Sequence, residues 1–211
     1  MRRVIQILFV LIIIVLGYLI VESIMEPIRF NQEVEVREQA TIYRLIDIRE
    51  AQKAYKDVYK KYTGSFDTLI AFVDTGSFTV VKAIGDIPEE WLDELGFEKA
   101  REKALKEGVI SRENTHVPVL DSLYNSGFAT DSLRYVPYCK GITFVLASGI
   151  LLTSSNLTVQ VVEAFCLYDD LLKGMDRQLL VNYKDERMKI VGFEGVKFGS
   201  MEEGTLTGNW E

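Results

Sequence analysis

Three side chains in this sequence have the chemistry of soft-metal ligands or strong nucleophiles: His116, Cys139 and Cys166. They stand far apart, with no CxxC or HExxH spacing, so no zinc site of the His and Cys type is expected. A Ser, His and Asp triad would have to recruit His116, two residues before Pro118 in what reads as a polar loop, and no Ser lies on a recognisable nucleophile elbow. Walker A, GxGxxG and GxSxG patterns do not occur. The carboxylate pairs Asp169-Asp170 and Glu202-Glu203 are adjacent in sequence, a placement that normally faces water. No catalytic, cofactor-binding or metal residue is expected, and the chain reads as a non-enzyme that needs no cofactor.

Other residues could modify or contact. If the cysteines lie in an oxidising compartment, Cys139 and Cys166 are a candidate disulfide closing a loop worth about 3 kcal/mol; the alternative is two buried free thiols. Asn156-Leu157-Thr158 fits the N-glycosylation pattern. Arg134, Tyr135, Tyr138 and Trp210 are candidate partner contacts, because arginine and large aromatics are enriched at binding hot spots. Core packing is the commoner use of such aromatics.

Location is easier to read than chemistry. The 211 residues are 48% hydrophobic and 26% charged, with net charge -7, which excludes a disordered or collagen-like chain. The acidic balance argues against a nucleic-acid partner. One stretch alone, Val4 to Val21, reaches spanning length: only Gln6, Gly17 and Tyr18 interrupt its Val, Ile, Leu and Phe, and it gives about 27 Å of helix. Arg2-Arg3 precede it while Glu22 and Glu26 follow, which places the N-terminus inside and the rest outside. The run is longer than the core of a cleaved signal peptide, and no A-x-A-like site follows it. Residues 1–3 therefore read as cytoplasmic and residues 4–25 as a transmembrane signal anchor in the lipid bilayer. The four charges of residues 1–26 cancel, so the whole of the -7 belongs to the exported part.

From Asn31 to Tyr62 the sequence lacks Gly and Pro and spaces Leu45, Ile48, Ala51, Tyr55, Val58 and Tyr62 helically. Glutamates crowd its start and lysines its end, as the helix dipole favours, and Gly64 offers a stop. This predicts an amphipathic stalk helix over 27–63. Its apolar face could pack on the chain's own head, the preferred reading, or form a short coiled-coil seam in which Gln52 fills one place.

Residues 64–211 read as a head. Short helices are expected over 66–74 and from Pro88 to Gly96, followed by a charged helix over 98–107. A strand is expected over 77–83, bounded by Gly76 and Gly85. Residues 133–138 look extended because of Pro137. Strands over 142–147 and 157–165, separated by Gly149 and Ser154-Ser155-Asn156, suggest a hairpin or three-strand meander. A helix broken at Gly174 spans 169–181, and a last strand spans 196–201. The fold class is α+β: a transmembrane helix, a long amphipathic stalk helix, and a head with a small antiparallel sheet and several short helices.

Three resemblances follow from particular segments. The tripeptides Asp67-Thr68-Leu69, Asp121-Ser122-Leu123 and Asp131-Ser132-Leu133 resemble the O-glycosylation acceptor of exported Bacteroidetes proteins, which makes Thr68, Ser122 and Ser132 candidate sites; alternatively these residues simply begin helices or turns. The plan of Val4 to Phe72, an apolar helix running into "IREAQKAYKDVYKKYTGSFDTLIAF", resembles a type IV pilin or pseudopilin, although no Gly precedes the run and the fifth-position glutamate is missing. "VPVLDSLYNSGFATDSLRYVPY", "GMDRQLLVNY" and "GVKFGSMEEGTLTGNWE" are similar to single-pass envelope proteins of Bacteroidetes, a family that brings no assigned activity and hence no site residues.

Together these expectations describe a non-catalytic periplasmic component of the cell envelope, held in the inner membrane, an adaptor or scaffold for other envelope proteins or for self-association. The alternatives are a pilin-like subunit and an anchored envelope enzyme.

Overall fold

The computed structural model describes residues 2–84, 86–109, 111–125, 127–153 and 156–211. Met1 of the expected cytoplasmic segment, Gly85 and the turn residues Ser154-Ser155 lie outside the described residues. The fold is α+β.

The apolar run and the amphipathic run form one helix, α1 (Arg2–Tyr59), with Pro27 inside it. A proline in a helix removes one hydrogen bond and crowds the preceding turn, a cost of about 3 kcal/mol that long flanking helices can carry. Arg29 pairs with Glu22 at 2.9 Å across that point. The boundary near residue 26 is therefore one of composition and burial, not a break in the helix. Upstream, the large side chains from Ile5 to Val21 are all exposed, and this part is long and apolar enough to cross a membrane. Downstream, Phe30, Val34, Thr41, Leu45, Ile48, Gln52 and Tyr55 are buried at three and four spacing. The stalk's apolar face is thus covered by its own chain, the preferred of the two readings. α1 ends at Tyr59, short of Gly64, because Lys60 takes φ +60° and turns the chain back.

The chain divides into two compact units, one of Met1–Phe66 with Asp131–Glu211 and one of Asp67–Thr130. In the first unit β3 (Val145–Leu152), β4 (Thr158–Leu167) and β5 (Gly195–Gly199) form an antiparallel sheet in that order. The β3–β4 register runs from Val145↔Phe165 to Leu152↔Thr158, and the β4–β5 register from Glu163↔Gly199 to Leu167↔Gly195. Side chains alternate across the pleat, so buried Val162, Ala164 and Cys166 share one face with buried Val196 and Phe198. β5 packs on α1. Gly199 has φ +74°, and any Cβ there would collide with the Val162 carbonyl, so only glycine closes this strand.

Three local expectations are corrected here. β3 starts later than residue 142 and runs through Gly149, which is no turn: it pairs with Val161, and Met201 fills the space a side chain would take. Residues 133–138 are not extended; a 3₁₀ turn (Thr130–Arg134) leads to a single bridge, Tyr135↔Thr143, and Tyr138 takes φ +63°. The helix expected over 169–181 is two, α5 (Tyr168–Leu171) and α6 (Arg177–Val191), with Asp176 capping the second through Leu179 N at 2.8 Å.

The second unit holds most of α2 (Phe66–Thr75) and an antiparallel ribbon of β1 (Ser77–Ile84) and β2 (Ser111–Pro118), paired from Ser77↔Pro118 to Ile84↔Ser111. Between the strands runs α3 (Glu89–Lys106), whose Gly96 at φ +73° divides it where two helices were expected. A short α4 (Val119–Leu123) follows. β2 is polar (SRENTHVP), and His116 lies exposed in it rather than in a loop.

Candidate functional site

The densest polar cluster lies where α1 meets α5 and α6. Glu38 sits on the buried face of α1, one turn beyond Val34, and its side chain is only 16% exposed. Its Oε1 accepts from the Tyr168 hydroxyl at 2.8 Å and from Arg187 Nη2 at 3.1 Å; its Oε2 accepts from the Tyr183 hydroxyl at 3.0 Å. Arg187 Nε donates to the Tyr168 hydroxyl oxygen at 3.0 Å, which closes a ring of hydrogen bonds. The two tyrosine rings meet edge to face at 5.1 Å. At the preceding position Arg37 is held by Glu33 at 2.8 Å and donates to the Leu171 carbonyl at 3.1 Å.

The electrostatics follow from burial. Burial first, and then the Glu38 carboxylate beside it, pushes the Tyr168 hydroxyl well above the usual phenol range. The same two causes push Tyr183 up to about 12. Both phenols are therefore donors at physiological pH, and both aim at one carboxylate. Three donors on two oxygens leave the Glu38 carboxylate fully engaged within the cluster.

A groove of about 730 Å³ opens beside the cluster, lined among others by Gln39, Ile42, Arg187, Ile190 and Trp210. Its charged groups are committed within the chain. Glu38 and Arg187 hold each other, and Glu211 pairs with Arg49 at 2.6 Å. Asn209 is also spent: it accepts from Lys197 N at 3.1 Å and donates to Gly195 O at 2.9 Å. The arrangement clamps elements together and presents no free acid and base pair. Among the described residues no group of three or more His, Cys, Asp or Glu is placed to hold a metal ion.

The residues singled out from sequence fall elsewhere. Cys139 and Cys166 are free thiols, donating to the carbonyls of Leu171 at 3.3 Å and Leu167 at 3.5 Å. Burial pushes the Cys139 thiol up, and pushes Cys166 up to about 12 with help from Asp170 and Cys139. Thr68 and Ser122 are exposed on α2 and α4, whereas Ser132 accepts from Arg44 Nη1 and is only partly exposed. Tyr135 and Tyr138 are exposed, and Arg134 lies 4.0 Å from Asp131 in the 3₁₀ turn. Trp210 is apart from that turn in the terminal segment, packed on Gly208 with Arg49 6.0 Å from its ring. Asn156 takes φ +57° in the β3–β4 turn, a conformation asparagine tolerates well.

Sequence reasoning missed Glu38, Tyr168, Tyr183 and Arg187. A signal existed for the first: a carboxylate at helical spacing between Val34 and Leu45 lies on the apolar stripe and requires partners. The partners are 130 or more residues away, and no local pattern points to them.

Comparison with family models, with curated proteins and with solved structures finds no match for this chain.

Proposed function

We propose that this protein is a non-catalytic scaffold anchored in the cytoplasmic membrane by residues 4–25, with residues 1–3 inside and the rest in the periplasm, where it assembles with other envelope proteins. The observation that carries the reading is the change of surroundings along one helix. From Ile5 to Val21 α1 buries nothing and offers apolar side chains on every side, while from Phe30 onward the same helix buries one face in its own unit. A helix apolar all round needs lipid or a partner to cover it, and Arg2-Arg3 against Glu22 and Glu26 supports the orientation. The saturated Glu38 cluster supports a structural rather than catalytic role for its unit: it ties α1 to α5 and α6.

A pilin-like subunit is the second reading, favoured by one observation: a continuous helix, apolar in its first half and packed on an antiparallel sheet in its second. Mass spectrometry of the purified protein separates the two, since a filament subunit loses its leader whereas the scaffold keeps Arg2-Arg3. The scaffold reading is tested by extracting membranes with alkaline carbonate. The full chain should stay in the pellet, and a chain lacking residues 1–26 should not.

A further inference from the structure

β3 is the outer strand of its sheet. β4 pairs with it on one side, and among the described residues no backbone hydrogen bond leaves the other. An open edge is a row of backbone donors and acceptors that fits another extended backbone. Folded proteins usually guard such an edge with charge, proline or a bulge. This one is unguarded. Residues 141–162 contain no Asp, Glu, Lys, Arg or His in a chain that is 26% charged, and Val145, Ile150, Leu152 and Leu157 are 50%, 68%, 63% and 65% exposed.

The position of the edge narrows the occupant. Tyr168, just past β4, bonds Glu38 of α1, whereas Gly64, just past the end of α1, lies against Ser148 in the middle of β3. β3 therefore runs along α1 in the same sense. At about 3.3 Å per strand residue its Leu152 end comes level with the C-terminal end of α1, about 50 Å of helix beyond Met25.

We infer that β3 is a strand-addition site that takes an extended, uncharged segment of a different envelope protein, lengthening the sheet on its open side. A second copy does not fit. Two-fold pairing of one strand with itself is antiparallel, and because β3 follows α1 that would point the two apolar segments in opposite directions, which one bilayer does not allow. This step rests on the anchored reading above. The segment must be uncharged because an ionised side chain set against Ile150 or Leu152 would lose water and find no counter-charge.

The test uses the full chain in its own cells, with a photo-crosslinking residue at Val145 and, as control, at Tyr43, exposed on α1. The expected result is an adduct at position 145 alone, mapped to an uncharged segment of another protein, and reduced at least tenfold by I150K/L152K. These two side chains are exposed, so the variant should keep the parent's melting temperature. A synthetic peptide of the mapped segment should then slow amide exchange across residues 145–152 at least tenfold. An adduct equal at both positions, one joining 145 to a second copy or to lipid, one that survives the lysines, or unchanged exchange would each overturn the inference. Release of the protein by carbonate would instead overturn the anchored reading, so the two failures are distinguishable.

Discussion

Gln52 and Thr63 face each other across the reversal that ends the long helix, joined as two strands would be: Gln52 Nε2 donates to Thr63 O at 2.7 Å, and Thr63 N donates to Gln52 Oε1 at 3.1 Å. Gln52 is fully buried on a stripe of Leu45, Ile48, Ala51 and Tyr55. A buried amide is tolerated there because both its functions are met, and it brings the chain back beside α1 after Tyr59. Gln52→Leu fills the same volume but leaves the Thr63 N–H and carbonyl without this partner. It should destabilise the full chain in detergent by roughly 2 kcal/mol, read by denaturant unfolding. No loss of stability would show that water takes over the role.

The Glu38 ring should behave as a unit. Glu38→Gln keeps the shape but removes the charge that Tyr168, Tyr183 and Arg187 share, and it should cost roughly 2 kcal/mol, whereas Tyr183→Phe removes one bond and should cost about 1 kcal/mol. Because the two changes touch the same ring, the double variant should lose less than the sum, measured as a double-mutant cycle. Strict additivity would mean that the bonds act independently.

These two sites show what was legible from sequence and what was not. The apolar run, the stripe from Leu45 to Tyr55, the division of α3 at Gly96 and the strands around residues 80, 162 and 197 are written in local periodicity, and the structure contains each. β2 was invisible because SRENTHVP has neither alternation nor β-branched density; its strand character comes from pairing with β1. Gly149 read as a turn because its conformation depends on Met201, remote in sequence. The Glu38 ring joins residues 130 to 149 positions apart, so only the folded chain displays it.

Stability should fall at alkaline pH, and the sign follows from the tyrosines. Tyr183 rises from 10.0 to about 12 on folding, so the folded state holds its proton more tightly than the unfolded state. The resulting stabilisation is complete below pH 10 and is lost as pH rises toward 12; Tyr168, shifted in the same direction, adds to it. Unfolding midpoints of the full chain between pH 9 and 12 check this. Tyr183→Phe should flatten the decline, and an equally steep decline in that variant would assign it to other groups.

Cys166 should be chemically silent in the native state. Its thiol is buried and pushed up to about 12, so almost no thiolate exists at pH 8. Alkylation by iodoacetamide should be at least a hundredfold slower than for a free cysteine peptide. Because the structure holds two free thiols, both Cys139 and Cys166 should react after denaturation without any reductant. A mass two hydrogens lower, with no alkylation, would show a bridge instead.

Anchoring in the proposed orientation is tested most directly by adding protease to spheroplasts whose inner membrane is intact. Residues beyond about 26 should be digested from outside, leaving in the membrane a short fragment that contains the apolar run Val4 to Val21. Protection of the whole chain until the membrane is lysed would contradict the account, as would recovery of the intact protein in the soluble fraction.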